Sequence, residues 1–322
     1  MDRRRFLLLG SAAATLAAAP AGAGLPARQL SFRRRPANGA IEFSYSLLDF
    51  FGRKQSIAFA LPVDVVQAAR RQIVFSETAI SRHVEAALRD AALQQSLDIS
   101  IRFDRRADGF GWSIEGRSDQ VEAAMTALKS EERRAVEDYL ARNFLASDGN
   151  LVSPDYARLV AHYHPILEPA AQAIAAAEMA GGTAGRLDLA LALIQTIPYD
   201  ELRTRDVESG FDFVTPPTLL ETNKGDCDSK AVALASILRS LLPAARMIMV
   251  LLPRHAVLGI DLPARGGDRT LRHDGRQYLL MEAAGPAPYR VGALFPASEA
   301  EIVAGRVERI VTLGAQFSRR GD

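Results

Sequence analysis

Cys227 is the only cysteine in 322 residues, and it stands in Gly225-Asp226-Cys227-Asp228 at the head of an Ala-rich run, "CDSKAVALASILRSL", whose pattern predicts a helix. A helix in that register places the sulfur among backbone N–H groups that lack intrahelical partners, where partial positive charge favours a thiolate. Asp226 is the expected N-cap, which fixes Cys227 as the first helical residue. The two flanking carboxylates work against the anion, so the helix alone does not make a reactive sulfur and a base is needed. His255 follows Cys227 by 28 residues and Glu282 follows His255 by 27, each on a segment that reads as a strand, "RHAVLGIDL" and "RQYLLMEAAG". Adjacent antiparallel strands present neighbouring side chains on one face, so an imidazole there can meet a helix N-terminus packed against the sheet. A carboxylate beside it can hold the other ring nitrogen, completing a nucleophile, a base and an orienter for attack on an acyl carbon. Such attack also needs donors aimed at the developing oxyanion, each often worth about 3 kcal/mol. The Cys227 backbone N–H is one natural donor, Gln195 on the preceding helix is a candidate second, and Asp261 is the reserve orienter.

Taken singly, these residues have plainer readings: a small buried hydrophobe for Cys227, a satisfied structural histidine for His255 and a surface amide for Gln195. Their order along the chain, and the elements that carry them, favour the chemical reading. "RLDLALALIQTIPYD" is an apolar helix ending at Pro198, and a loop, "DFVTPPTLLETNKGD", leads into the cysteine helix. A strand "ARMIMVLL" precedes the histidine strand, and a polar, turn-rich segment containing His273-Asp274-Gly275 separates it from the glutamate strand. A helix before strands, with short connections, predicts an α+β domain whose antiparallel sheet packs on the cysteine helix, rather than a doubly wound parallel sheet. Pro198, Tyr199 and Pro217 read as residues that shape a loop over the site.

In "GDCDSKAVALASILRSL", "HAVLGIDL" and "YLLMEAAG", with "LALIQTIPYD" and "TPPTLLE" before them, the chain resembles the transglutaminase-like superfamily of papain-like cysteine enzymes. The resemblance covers about residues 186–292, and none is evident for residues 24–180. It implies Cys227 as nucleophile, His255 as general base and acid, and Glu282 as orienter, on a nucleophile helix and two successive strands. Two positions depart from the family pattern: Ala256 and Val257 follow the histidine where an aromatic residue is common, and the third member is Glu where Asp is usual.

The chain is 48% hydrophobic and 24% charged, which excludes a disordered polymer and allows roughly two domains. Residues 1–23 read as a signal peptide: Arg3 to Arg5, an apolar run from Phe6 to about Ala19, then Ala21-Gly22-Ala23 as a cleavage pattern. The run is shorter than the roughly 20 residues needed to span a bilayer, and the arginine pair before Phe6 and Leu7 resembles a twin-arginine signal. Export to the periplasm is the expected outcome, with no transmembrane anchor after cleavage. Removal of that segment takes the formal charge from +1 to −1, which gives no electrostatic footprint for nucleic acid. One cysteine cannot form an internal disulfide, so in an oxidising compartment it must be buried or used.

The expected organisation is a signal peptide at 1–23, an irregular lead-in at 24–40, an α+β and helical region of unassigned role at 41–180, and the transglutaminase-like domain at 181–322. The first region carries two predicted hairpins, turning near Gly52 and Ala107, and Gly181, Gly182 and Gly185 mark the expected linker. No cofactor is implied, and no metal: His162 and His164, two apart on a helix, face different sides without a third ligand nearby. The expected activity is cysteine-dependent opening of an amide bond in a protein or peptide substrate, a cell-envelope component among the candidates, by hydrolysis or acyl transfer. The alternative is a non-catalytic protein-binding or scaffolding module that keeps the fold, with residues 24–180 as its partner-binding half. Oligomeric state is left open.

Overall fold

The computed structural model describes residues 7–8, 28–70, 73–95, 98–106, 109–149, 151–200, 213–285 and 287–314. The expected signal segment thus lies outside the described residues apart from 7 and 8. No helix among the described residues is long and apolar enough to cross a membrane.

The chain divides into two units, and the division is not the expected one at residue 180. The first unit takes its described residues mainly from 73–155. Its helix Glu77–Ala92 is capped by Ser76, whose hydroxyl accepts from the Ala79 N–H, and it buries Ile80, Val84 and Leu88 at four-residue spacing. That stripe packs on the long helix Ser118–Arg142 and on the hairpin strand Gly109–Glu115, whose partner is Ser100–Arg106. A second, short hairpin pairs Leu145–Asp148 with Leu151–Pro154.

The second unit holds the described residues of 28–70, 156–200 and 213–314, with all of the candidate site residues. The expected irregular lead-in is a strand, Arg28–Ala37, on the edge of a three-stranded antiparallel sheet with Ala40–Leu48 and Lys54–Pro62. Its mostly exposed side chains hide the period-two signal on which a strand reading depends, whereas the neighbouring strand alternates cleanly and buries Ile41, Phe43, Tyr45 and Leu47. Gly182 and Gly185, expected in a linker, lie in the first turn of the helix Gly182–Thr196. The boundary there dissolves because the chain from Tyr156 onward already belongs to the same core: Tyr156–Tyr163, Glu168–Ala177 and Gly182–Thr196 all pack on the cysteine helix, Cys227–Leu241.

That helix buries every residue from Cys227 to Leu238, so it is enclosed on all sides and not amphipathic. One side rests on a five-stranded antiparallel sheet ordered Thr270–His273, Arg276–Met281, His255–Ile260, Met247–Leu252 and Arg309–Thr312. The edge strands Thr270–His273 and Arg309–Thr312, and the helix Pro296–Val303, are elements the sequence pattern does not predict. Asp274 and Gly275 both adopt positive φ, 47° and 73°, as a two-residue hairpin turn of the primed type requires.

Candidate active site

Cys227 is the first residue of its helix and 3% exposed, and Asp226 is the N-cap, its carboxylate accepting from the Ser229 N–H at 3.3 Å. The approach to the cap is set by the element just before it. The short helix Pro216–Thr222 ends at Asn223 in the left-handed conformation, and Gly225 then passes so close to Leu219 that a Cβ would lie 2.5 Å from the leucine Cδ1. Only glycine fits there, which gives the glycine before Asp226 a steric reason.

His255 opens its strand with a side chain 13% exposed, and its Nε2 is 2.5 Å from Oε1 of Glu282. Glu282 lies one residue beyond Arg276–Met281, is fully buried, and has its second oxygen satisfied by the Ser298 hydroxyl at 3.1 Å and the Phe295 N–H at 3.4 Å. The carboxylate is therefore fixed from both sides. Nε2 is thus committed to Glu282, and a hydrogen bond with the Cys227 side chain is among the influences that raise the His255 pKa. Burial is the largest influence and works to lower that pKa. The Glu282 charge and the hydrogen bonds to Cys227 and Glu282 outweigh it, and the value stands well above the ordinary 6.5. The aromatic partner of the imidazole is Phe295, with ring centroids 5.8 Å apart, supplied from outside the histidine strand.

The carboxylates beside the sulfur behave differently from the sequence expectation. Burial, then the neighbouring Asp228 charge and a hydrogen bond with it, push the Asp226 carboxyl well above its usual range. Asp228 in turn accepts from the Tyr156 hydroxyl at 2.8 Å. Below them, Lys230 is fully buried and donates to the carbonyls of Ile197 and Ala284, each at 2.5 Å. Burial lowers its pKa to about 7, against the pull of Asp226 and Cys227. One lysine thus ties the first turn of the cysteine helix to the loop before it in sequence and to the loop just after Glu282.

His255 and Glu282 are in contact, and Cys227 opens the helix that packs on the histidine strand. Gln195 and Asp261 do not join them in the expected roles. The Gln195 amide donates to the carbonyls of Glu282 at 2.7 Å and Tyr289 at 2.9 Å, and its oxygen accepts from the Tyr289 N–H, so its hydrogens staple the glutamate loop and none is left for an oxyanion. The loop comes close enough that a Cβ on Gly285 would lie 2.1 Å from the Gln195 carbonyl oxygen, and this glycine has φ +60°. Asp261 follows the far end of the histidine strand and accepts from Arg276 at 2.9 Å, away from the imidazole.

Three residues of the site escape sequence reasoning. Tyr199, expected to shape a loop, has its backbone bridged to Gly225, two residues before the cysteine, and burial first, then the Cys227 charge, raise its phenol well above its ordinary range. Lys230 reads in sequence as an ordinary helix lysine, although its place three residues after the cysteine in an otherwise apolar helix is a usable signal. Ser298 lies on a helix announced by Pro296 at its first turn and Glu299 just after, a start signal that length alone obscures. In comparisons with protein-family models, curated proteins and solved structures, nothing matches this chain.

Proposed function

We propose that this chain is an exported cysteine-dependent enzyme of transglutaminase-like type that opens amide bonds through a thioester on Cys227. The observation that supports the reading is the 2.5 Å contact of His255 Nε2 with Glu282 Oε1 on a sheet against which the helix opened by Cys227 packs, with Cys227 among the groups that raise the imidazole pKa. The Cys227 thiolate attacks the amide carbon, a C–S bond forms, and the carbonyl π pair moves onto oxygen. Collapse of that oxyanion breaks the C–N bond as the His255 imidazolium gives its proton to the departing amine. The neutral imidazole then takes a proton from water, the resulting hydroxide equivalent attacks the thioester, and the thiolate leaves. An amine in place of water gives acyl transfer; hydrolysis is favoured because water is always present and no feature of the chain selects an amine. Glu282 holds the ring in place and stabilises its cationic form throughout. A protein or peptide of the cell envelope is the substrate class that fits export, which rests on the sequence of residues 1–23.

The test is acylation of the folded protein by p-nitrophenyl acetate, read by intact mass and peptide mapping. One acetyl group on Cys227, absent from Cys227→Ala, is the expected result; a native protein that takes up no acetyl group on Cys227 overturns the proposal. The scaffolding alternative has one observation in its favour, the 3% exposure of the sulfur, and it predicts an inert thiol.

A further inference from the structure

The arginine run of the edge strand Arg28–Ala37 takes no part in the site, and the two-residue period of the strand divides it. Arg34 lies opposite Phe43, a buried residue of the middle strand, and reaches the buried Glu221 carboxylate at 3.1 Å. Arg33 and Arg35 lie opposite Ser44 and Glu42 and so share the other, outward face. The same register adds two cations to that face: Arg28 and Lys54, on the two outer strands, both stand opposite Leu48. All four side chains are exposed. The one carboxylate on this face of the three strands, Glu42, is already taken by Arg35 at 2.7 Å. Between the cations stand Ser44, Ser46, Ser56 and Ala58, side chains too short to hold a broad surface away. At the end where Arg28, Leu48 and Lys54 align, the hairpin turn displays Phe51, 58% exposed, with Phe50 edge-on against it at 5.4 Å. The turn is firmly held, because the Asp49 carboxylate accepts from the N–H groups of Phe51 and Arg53, both at 2.9 Å.

We propose that this outward face docks the protein on an anionic phospholipid bilayer, with Arg28, Arg33, Arg35 and Lys54 against the headgroups and Phe51 entering the interface. Arginines on an edge strand also guard it against pairing with another sheet. That purpose accounts neither for the gathering of cations on one face nor for the aromatic turn at its end. Charge complementarity selects an anionic partner, since four cations face one carboxylate that is itself paired. The apolar side chains select a bilayer over a soluble polyanion: Leu48 lies between two cations and Phe51 beyond them, where an aromatic ring suits the boundary between headgroups and acyl chains. In the exported reading the signal segment ends five positions before Arg28, so this end of the sheet is the first part of the folded chain to stand at the membrane. Docking uses no group of the Cys227 site, and either reading stands without the other.

Cosedimentation of the processed chain, residues 24–322, with lipid vesicles tests the proposal. Binding is expected to phosphatidylcholine vesicles that contain about one third phosphatidylglycerol, and to fade between about 0.05 M and about 0.5 M salt as screening sets in. Vesicles of phosphatidylcholine alone are expected to bind weakly. Arg33→Gln combined with Lys54→Gln is expected to weaken binding by about 25-fold, roughly fivefold for each cation. Phe51→Ser is expected to weaken it by about tenfold through loss of its apolar surface. Lys129→Gln combined with Arg133→Gln removes the same charge from exposed positions on the helix Ser118–Arg142 and is expected to change binding by less than about twofold. The substituted side chains are all exposed, and thermal melts matching wild type show that the fold is kept. A chain that does not sediment with the anionic vesicles overturns the proposal, as does equal weakening in the two double variants, which would make net charge the whole cause. Binding to soluble polyphosphate without binding to vesicles, lost in the Arg33 and Lys54 variant, would assign the face to a polyanion and overturn the bilayer.

Discussion

Burial works to strip the proton from His255, yet the Glu282 charge and the hydrogen bonds to Cys227 and Glu282 hold it on well above pH 6.5. Because the folded value lies above the unfolded one, this pairing stabilises the fold fully below about pH 6.5, and its contribution fades as pH climbs through the raised value. Replacing Glu282 with Gln removes the charge and keeps the shape; NMR titration of the imidazole is then expected to show its pKa falling toward or below the ordinary value, and an unchanged titration would deny the pairing. Asp226 is also raised, by burial and by Asp228, so the folded state holds a proton that the unfolded state releases above about pH 4. Stability contributed by that proton declines as pH rises. Asp226→Asn mimics the protonated acid and remains a good N-cap, so its melting temperature is expected to match wild type near pH 5 and exceed it at pH 8. A variant that melts lower at both pH values would place an ionised carboxylate there.

The cysteine helix, the two central strands and the Asp274-Gly275 turn were legible because each shows its own local signature: an apolar run with an N-cap, short β-prone runs, and a dipeptide suited to positive φ. The contact of His255 with Glu282 was legible from the order of those elements alone. Tyr199, Lys230 and Ser298 were not, because each acts through a partner far away in sequence and no periodicity encodes that partner. Lys230 is the clearest case, since its ammonium joins two loops 87 residues apart, at Ile197 and Ala284, through a helix that belongs to neither. Lys230→Met keeps the packing volume and leaves two buried carbonyls without a donor, which is expected to cost about 2–4 kcal/mol in urea unfolding. Alkylation of Cys227 should slow as well, since the loop that follows Glu282 loses its anchor to the cysteine helix. A variant as stable and as reactive as wild type would show that the clamp does neither.

At the scale of the molecule, sequence reading placed a boundary near residue 180, where three glycines cluster, and assigned the first sheet to a separate region. The Arg28–Ala37 strand and its two neighbours belong instead to the unit that carries the site. The links are specific: the buried Tyr45 hydroxyl donates to the Leu220 carbonyl at 3.2 Å, the Thr215 hydroxyl to the Ala69 carbonyl at 2.6 Å, and Arg70 grips Glu221 through two nitrogens at 2.8 and 2.5 Å. Tyr156, which satisfies Asp228, also lies before the expected boundary. A fragment of residues 181–322 therefore lacks the partners of its own cysteine helix and is expected to show no cooperative thermal transition, by circular dichroism, where residues 24–322 show one. A cooperative, thiol-reactive 181–322 fragment would restore the boundary read from sequence.

The central claim is that His255, held by Glu282, makes Cys227 a nucleophile, and the pH profile of Cys227 alkylation by iodoacetamide in the folded protein tests it most directly. Fast alkylation at pH 6, slowed at least about tenfold in His255→Ala and to a lesser degree in Glu282→Gln, is the result this account predicts. A thiol that resists alkylation until the protein unfolds, or that reacts equally well without His255, would contradict it.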